Sequence, residues 1–160
     1  IGTGSGCIAI SLAKNLPNAK VSALDISEKA LEVARENAKL NNVEIEFITA
    51  DIFDYKSEKK YDIIVSNPPY VRESEKTLMK SNVVEYEPKQ ALFVADNNPL
   101  LYYKAILEFS KSNLLKNSLI FLEINHILEE QLIYKLNDYF YTSIIYKDHF
   151  NKSRFCKITN

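Results

Sequence analysis

Stretches typical of β-strands alternate along this chain with stretches that have helical spacing. From the first residue, the order is helix, strand, helix, strand, strand, helix, strand, helix and two final strands. Strands connected through helices pair in parallel, because a parallel neighbour needs a long crossover. The last two strands are joined only by HFNKS, a connection short enough for an antiparallel hairpin. The alternation therefore predicts an α/β fold with a mostly parallel sheet and an antiparallel hairpin at its end.

Local patterns predict where these elements begin and end. Ser27 is a good N-cap, and Glu28 places negative charge at the start of the helix that follows. Within that helix, Leu31, Ala34 and Ala38 recur at helical spacing. Further helices are predicted over 7–15, 100–115 and 127–137, and strands over 20–25, 44–50, 61–66, 118–124, 141–148 and 154–160.

Two segments in the middle of the chain differ from their surroundings. The run YDIIVS, residues 61–66, is compact and apolar, which is typical of a strand covered on both faces. Residues 71–98 are long, irregular and polar. A loop of that length inside a compact domain is usually functional or mobile, so we predict a functional or mobile loop there.

Composition limits the class of protein. A chain of 160 residues has the size of one domain, and we predict a single domain over 1–160. The net charge of −1 and the pI of about 6.2 lack the basic excess of non-specific nucleic-acid binders. Cys7 and Cys156 show no Cys/His spacing of a metal site, so no metal is predicted. No apolar run reaches 18 residues, so no membrane span is predicted.

The glycine-rich turn GTGSG, residues 2–6, points to a ligand site. Glycine lets a ligand approach bare backbone, whose N–H groups lie near the start of the next helix. Asp25 follows Gly6 by 19 residues and ends a strand, where an acid commonly binds the ribose hydroxyls of a nucleoside. An acid that only precedes the helix start at Ser27 would give the same pattern. Such turns normally follow a strand, so we expect the first strand to be largely missing from this chain.

The glycine spacing favours one nucleoside ligand over another. G-x-G-x-G differs from the G-x-G-x-x-G turn of dinucleotide sites. S-adenosylmethionine carries a cationic amino acid and needs no pyrophosphate cradle. The turn therefore favours S-adenosylmethionine over NAD.

Asp51 ends the third strand, counting the missing one, at the edge where ligands of open α/β sheets bind. Its carboxylate could accept a hydrogen bond from an adenine amino group, and Ile52 or Phe53 could pack on the ring. An acid at a strand end that faces water is the alternative. Its place in the series of strands favours the adenine interpretation.

The segment SNPPY, Ser66 to Tyr70, ends the strand that precedes it. Two prolines stiffen the backbone and leave the Pro68 carbonyl without a ladder partner. Asn67 adds a side-chain carbonyl acceptor and an amide donor, and Tyr70 offers a flat face and a polar tip. A rigid strand-exit turn alone would explain the prolines but not the asparagine and tyrosine beside them.

Two neighbouring acceptors are suited to a planar NH2 group. An amide or aromatic amine is a poor nucleophile because its lone pair is delocalised. Asn67 and the Pro68 carbonyl can hold both hydrogens and direct the lone pair towards a methyl donor. The NPPY corner, residues 67–70, would then act by aligning the NH2 group with the methyl donor and by stabilising the positive charge that develops on the nitrogen.

These residues resemble the class I S-adenosylmethionine-dependent methyltransferases, and within them the HemK/PrmC release-factor glutamine methyltransferases. IGTGSG matches the family's glycine turn, Asp25 its ribose-binding acid and VSNPPY its catalytic motif. VVEYEPKQALF, residues 83–93, is similar to the segment that distinguishes this branch; Glu85 and Glu87 there either order a substrate loop or lie in a solvated patch. The chain departs from the family where VADNNP replaces glycines after A-L-F and where LEIN replaces L-E-I-G.

The resemblance implies a Rossmann-like fold with a seven-stranded sheet, and a methyl transfer from S-adenosylmethionine. The acceptor would be the side-chain N5 of the glutamine in the Gly-Gly-Gln motif of peptide chain release factors, and S-adenosylhomocysteine would be the product. An N-terminal helical domain, absent from this chain, would grip the release factor. The protein would act in the cytoplasm as a monomer, without a stable nucleic-acid or membrane partner.

Pattern and resemblance together define the expected site. The cofactor-binding residues are predicted to be Gly2, Thr3, Gly4, Ser5, Gly6, Asp25, Ile26, Asp51, Ile52, Phe53 and Asn67. The catalytic residues are predicted to be Asn67, Pro68, Pro69 and Tyr70.

Two other functions use the same features. N6-adenine DNA methyltransferases and some rRNA guanine methyltransferases share NPPY, so a nucleic-acid amino methyltransferase is the main alternative. A nucleotide-binding module without catalysis is the second, and the intact NPPY corner argues against it.

Overall fold

A computed structural model describes residues 1–79, 88–139 and 141–159. The chain divides into two compact units, Ile1–Lys56 and Ser57–Asn160. The single domain over 1–160 therefore stays a prediction. In the described ranges, no helix is long and apolar enough to cross a membrane.

The first unit alternates helix and strand as the sequence predicts. Its elements are α1 (Cys7–Asn15), β1 (Ser22–Asp25), α2 (Glu28–Leu40) and β2 (Glu46–Thr49). Strands β1 and β2 pair in parallel, with Leu24 opposite Ile48. Because the pair is parallel, the carboxyl ends of both strands lie at one edge, where Asp25 is the last residue of β1 and Asp51 lies two residues beyond β2.

Helix α2 shows how local sequence sets a boundary. The hydroxyl of Ser27 accepts a hydrogen bond from the Ala30 N–H at 3.2 Å, which is the predicted N-cap. Leu31, Ala34 and Ala38 form its buried stripe, with Leu31 and Ala34 fully inaccessible. The cap satisfies an otherwise orphan donor, and the stripe supplies the hydrophobic contact that keeps the helix folded.

The second unit contains a mixed sheet with helices. Its strands are β3 (Tyr61–Ser66), β4 (Val71–Arg72), β5 (Phe93–Val94), β6 (Leu114–Glu123), β7 (Thr142–Lys147) and β8 (Ser153–Thr159). Its α-helices are α3 (Lys89–Leu92), α4 (Leu101–Asn113) and α5 (Glu129–Asn137), and 3₁₀-helices cover Glu73–Leu78 and His126–Leu128. The main sheet has the order β3-β6-β8-β7. β3 and β6 are parallel, whereas β8 is antiparallel to both β6 and β7, so the predicted terminal hairpin is confirmed.

The two faces of this sheet differ in burial. Ile64, Ile120, Leu122, Cys156 and Ile158 are all less than 5% exposed and alternate with their strand neighbours, so they share one face. On the other face, Ile63, Ile144, Tyr146 and Phe155 are 46–54% exposed. The prediction that residues 61–66 are covered on both faces is therefore wrong. Only one face carries the core of this unit.

The segment predicted to be irregular has some regular structure. β4 and β5 pair in parallel through Val71 with Phe93 and Arg72 with Val94, and a 3₁₀-helix follows β4. Residues 80–87 lie outside the described ranges, and with them Glu85, Glu87 and much of the branch-distinguishing segment.

A glycine substitution tests the packing of the turn before α1. Gly6 has φ +85°, and a Cβ there would meet Ala34 Cβ and Ile10 Cδ1 at 3.1 Å. Gly4 has φ +56° but open space. We expect Gly6→Ala to lower the free energy of unfolding by about 2–4 kcal/mol, from backbone strain plus crowding, and Gly4→Ala by about 1–2 kcal/mol, from strain alone. Urea unfolding of both variants measures the difference. Equal losses would show that crowding at Gly6 is relieved without cost.

Candidate active site

The glycine turn of the first unit is open towards a potential ligand. Gly2, Gly4 and Gly6 have φ values of +67°, +56° and +85°, a left-handed conformation that glycine adopts without strain. A Cβ added at Gly2 or Gly4 would meet no atom within 4 Å. The backbone of the turn is therefore open to solvent, and a ligand could bind directly against its peptide groups.

Asp25 fastens this turn to the end of β1. Its carboxylate accepts hydrogen bonds from the Gly4 N–H at 2.8 Å and from the Ser27 N–H at 2.9 Å. The Thr3 N–H donates to the Leu24 carbonyl at 3.0 Å. A carboxylate has about four acceptor positions, so Asp25 retains capacity for the hydroxyls of a ribose.

Asp51 lies at the same edge as Asp25. The Ala50 N–H donates to the Asp25 backbone carbonyl at 3.0 Å, which brings the residue before Asp51 against the end of β1. One Asp51 carboxylate oxygen accepts from the Phe53 N–H at 3.0 Å. Ile26 and Phe53 are 64% and 45% exposed, so apolar groups are accessible beside both acids. Bare backbone, acids and exposed apolar side chains together fit a nucleoside.

The NPPY corner follows β3 in the second unit. Ser66 and Pro68 are buried, whereas Asn67 is exposed. All described peptide bonds are trans, so the two prolines form the corner without a cis bond. In the described part of the chain, neither the Asn67 side chain nor the Pro68 carbonyl has a hydrogen-bond partner. The exposed Asn67 side chain is therefore open to a ligand, and the Pro68 carbonyl keeps its acceptor capacity unused among the described residues.

The Tyr70 hydroxyl is bound within the protein. It donates to Glu123 Oε1 at 2.6 Å, at the end of β6, and accepts from Arg154 Nη1 at 3.4 Å. Arg154 is itself paired with Asp148 at 3.3 Å. Burial, reinforced by the hydrogen bond to Glu123, raises the pKa of Tyr70 to about 12. The Tyr70 hydroxyl, which the sequence suggested as a ligand contact, therefore anchors the corner instead. The face of the Tyr70 ring remains for contact with a ligand.

A family model described as methyltransferase small domain matches residues 1–111. The chain belongs to the methyltransferase small domain family. Since the match begins in the glycine turn and extends beyond NPPY, it includes every residue of the predicted site.

Within the methyltransferase small domain family, the chain is similar to release factor glutamine methyltransferases. A release factor glutamine methyltransferase of Flavobacterium psychrophilum is 50% identical over 160 residues, covering 99% of this chain and 56% of that protein. One of Bacteroides thetaiotaomicron is 48% identical over 158 residues, covering 96% and 56%. The chain thus spans about half the length of the curated relatives it matches. The resemblance predicted from the sequence is confirmed.

A solved structure has the same fold. The crystal structure of a methyltransferase from Pyrococcus furiosus aligns with a TM-score of 0.71 at 21% identity, covering 99% of this chain and 71% of that one. The predicted Rossmann-like α/β class is therefore confirmed. The described strands form a pair β1-β2 in the first unit, and a four-stranded sheet β3-β6-β8-β7 and a pair β4-β5 in the second, so the seven-stranded sheet stays a prediction.

Three residues around the corner of this methyltransferase small domain were missed as functional candidates. Glu123, Asn125 and Arg154 contact Tyr70 directly. Glu123 ends a strand that pairs in parallel with β3, so it occupies the carboxyl edge where ligand sites collect. That position was a usable signal for Glu123. Arg154 reaches the corner across 84 residues of chain, and no local pattern indicates such a contact.

The raised pKa of Tyr70 predicts a change in stability at alkaline pH. A tyrosine whose pKa is higher when folded stabilises the fold fully below the unfolded pKa of about 10, and this contribution is lost as pH rises towards about 12. We expect the free energy of unfolding to fall above pH 10, and to fall less steeply in Tyr70→Phe. Urea unfolding between pH 8 and 11 measures both slopes. Tyr134→Phe, at a tyrosine that is 75% exposed, is the matched control for a general tyrosine effect and should keep the wild-type slope. Identical slopes for wild type and Tyr70→Phe would contradict the assignment.

Proposed function

We propose that this chain is the catalytic part of a protein-glutamine N5-methyltransferase that modifies the Gly-Gly-Gln motif of peptide chain release factors. The observation that carries the proposal is the identity of 50% and 48% to two proteins named release factor glutamine methyltransferase, over nearly the whole chain. Identity at this level extends well beyond NPPY. It therefore supports a common substrate as well as common chemistry.

The proposed cofactor is S-adenosylmethionine, which when bound supplies an electrophilic methyl group on a sulfonium sulfur. Its ribose would be held by Asp25, and its amino-acid part would pass along the backbone of residues 2–6. Ile26, Ile52 and Phe53 would pack on the adenine, with Asp51 accepting from the adenine amino group. The open space at Gly2 and Gly4 supports this assignment, because side chains there would reduce access to the backbone.

The proposed role of the NPPY corner is to orient the glutamine amide. Asn67 Oδ1 and the Pro68 carbonyl would accept the two amide hydrogens, which fixes the NH2 plane. As the nitrogen gains a carbon, its positive charge grows and the two acceptors stabilise it. The nitrogen then becomes acidic enough to lose a proton to water, so no general base is required from the protein.

The proposed function also suggests where the protein acts and with which partners. Release factors act during translation, so we place the protein in the cytoplasm, with a release factor as a transient partner and no stable nucleic-acid or membrane partner. We propose that it works as a monomer.

A methyl-transfer assay tests the proposal. Radiolabelled S-adenosylmethionine is incubated with the protein and, in parallel, with a release factor, the same factor carrying Gly-Gly-Asn, duplex DNA and rRNA. We expect label only in the Gly-Gly-Gln factor, on one glutamine by mass spectrometry. Asparagine keeps the amide but shortens the side chain by one methylene, so it is the matched substrate control. Label in DNA or rRNA with none in the release factor would support the nucleic-acid alternative, and absence of transfer to all four would support a binding module.

A further inference from the structure

A buried asparagine joins three segments around the NPPY corner. Asn125 is 5% exposed and lies two residues beyond the end of β6. Its side-chain NH2 donates to the Tyr70 carbonyl at 3.2 Å and to Glu75 Oε2 at 3.0 Å. Its side-chain oxygen accepts from the Ile127 N–H at 3.0 Å. One side chain thus connects the corner, the 3₁₀-helix after it and the 3₁₀-helix at 126–128.

Tyr70 is consequently held at two points. Its hydroxyl binds Glu123 and its backbone carbonyl binds Asn125. Residues two apart in extended chain point to the same side, and the backbone of Asn125 is extended, with φ −76° and ψ 119°. Ile124, between the two, donates its N–H to the Arg154 carbonyl at 2.8 Å, which ties this segment to β8. Two attachments on one fixed segment set both the position and the rotation of Tyr70.

Glu75 extends this support to the residues after the corner. It accepts from the Arg72 backbone N–H and from Arg72 Nε, both at 3.0 Å, as well as from Asn125. Burial alone would raise the pKa of the Glu75 carboxyl, but the hydrogen bonds from Arg72 and Asn125 outweigh it and lower the pKa. Glu75 is therefore a charged acceptor, and hydrogen bonds to charged acceptors are among the stronger ones.

Hydrogen bonds, and not backbone conformation, account for the asparagine at this position. The backbone of Asn125, at φ −76° and ψ 119°, is extended and suits most residue types. A buried asparagine without partners would be costly, and this one has a partner for each polar group. The asparagine thus adds hydrogen bonds that glycine could not make.

We infer that Asn125 is a positioning residue for methyl transfer, which fixes the NPPY corner through the Tyr70 carbonyl and Glu75 and thereby aims the Asn67 and Pro68 acceptors. The inference rests on the proposed function. Misplacing a catalytic group by about 1 Å can cost about 100-fold in rate, so loss of this support reduces turnover without touching substrate or cofactor.

Two variants and a matched control test it. Asn125→Gly removes the side chain, and Asn125→Asp keeps its shape but replaces the donor with a charge that faces Glu75. Asn113→Asp is the control, since Asn113 is 3% exposed and donates to the Ser57 and Lys59 carbonyls at 2.8 and 2.7 Å. We expect kcat to fall about 10- to 100-fold in both Asn125 variants, with KM for S-adenosylmethionine within about twofold. Asn113→Asp should lose stability but keep the wild-type kcat.

Hydrogen exchange gives a second readout that needs no activity. We expect the amide of Arg72 and the peptide over 66–76 to exchange at least about tenfold faster in both Asn125 variants, and at the wild-type rate in Asn113→Asp. Wild-type kcat and exchange in Asn125→Gly would overturn the inference, as would an equal loss of kcat in Asn113→Asp. If the wild-type protein transfers no methyl group to a release factor, the proposed function fails, and exchange at the corner alone then decides the role of Asn125.

Discussion

Asn67→Ala is expected to lower kcat for methyl transfer by about 100- to 1,000-fold while S-adenosylmethionine binds with nearly unchanged affinity. Removal of one group that stabilises charge in a transition state has an effect of this size in other enzymes. Asn67 is exposed, and no described residue forms a hydrogen bond with its side chain. Its truncation should therefore leave the fold intact, so that the loss falls on the reaction.

Three measurements check this result. Single-turnover kinetics with a release factor report the chemical step, calorimetry with S-adenosylhomocysteine reports affinity, and thermal unfolding reports stability. Asn137→Ala, at an exposed asparagine that ends α5, is the matched control and should retain wild-type kinetics. If cofactor affinity collapses in Asn67→Ala while single-turnover rates at saturation stay normal, Asn67 holds the cofactor and does not orient the amide.

Asp25→Ala is expected to reduce cofactor affinity by at least about 100-fold and to lower the free energy of unfolding by about 1–3 kcal/mol. Two effects combine. The carboxylate that would bind the ribose is lost, and the Gly4 and Ser27 N–H groups lose their acceptor. Because the Gly4 contact fastens the glycine turn to β1, the backbone surface offered to the cofactor also becomes less ordered.

The two effects of Asp25 can be separated. Asp25→Asn retains one side-chain oxygen, so it should recover part of the stability while affinity stays low. Glu28→Gln is the charge control, since Glu28 is an exposed acid that contacts Thr49 and Arg35. Calorimetry with S-adenosylhomocysteine and urea unfolding measure both quantities. Wild-type affinity in Asp25→Ala would show that the ribose is bound elsewhere.

The sequence was sufficient for features that depend on near neighbours. Helix α1 covers the predicted residues 7–15, Ser27 caps α2 as predicted, and the last two strands form the expected hairpin. Capping and helical spacing act between residues at most a few positions apart, so the local sequence carries the information. The glycine turn and NPPY have characteristic compositions for the same reason.

Other boundaries and exposures were missed because they depend on distant partners. β6 begins at Leu114, four residues before the predicted start at 118, and Tyr61 of β3 pairs with that early residue. Ile63 is 48% exposed although it lies in an apolar run. An apolar side chain indicates that burial is favourable, but whether a face is covered depends on what packs there.

The sequence by itself determined the fold class, the two motifs and the chemistry they suit, because glycine, proline and a strand-end acid act through their own backbone and charge. Only the tertiary structure decided how the corner is supported. The partners of Tyr70 lie 53, 55 and 84 residues away at Glu123, Asn125 and Arg154. Hydrogen bonds over such separations form only when the end of β6 and strand β8 lie next to the corner. No periodic pattern in the sequence indicates that contact.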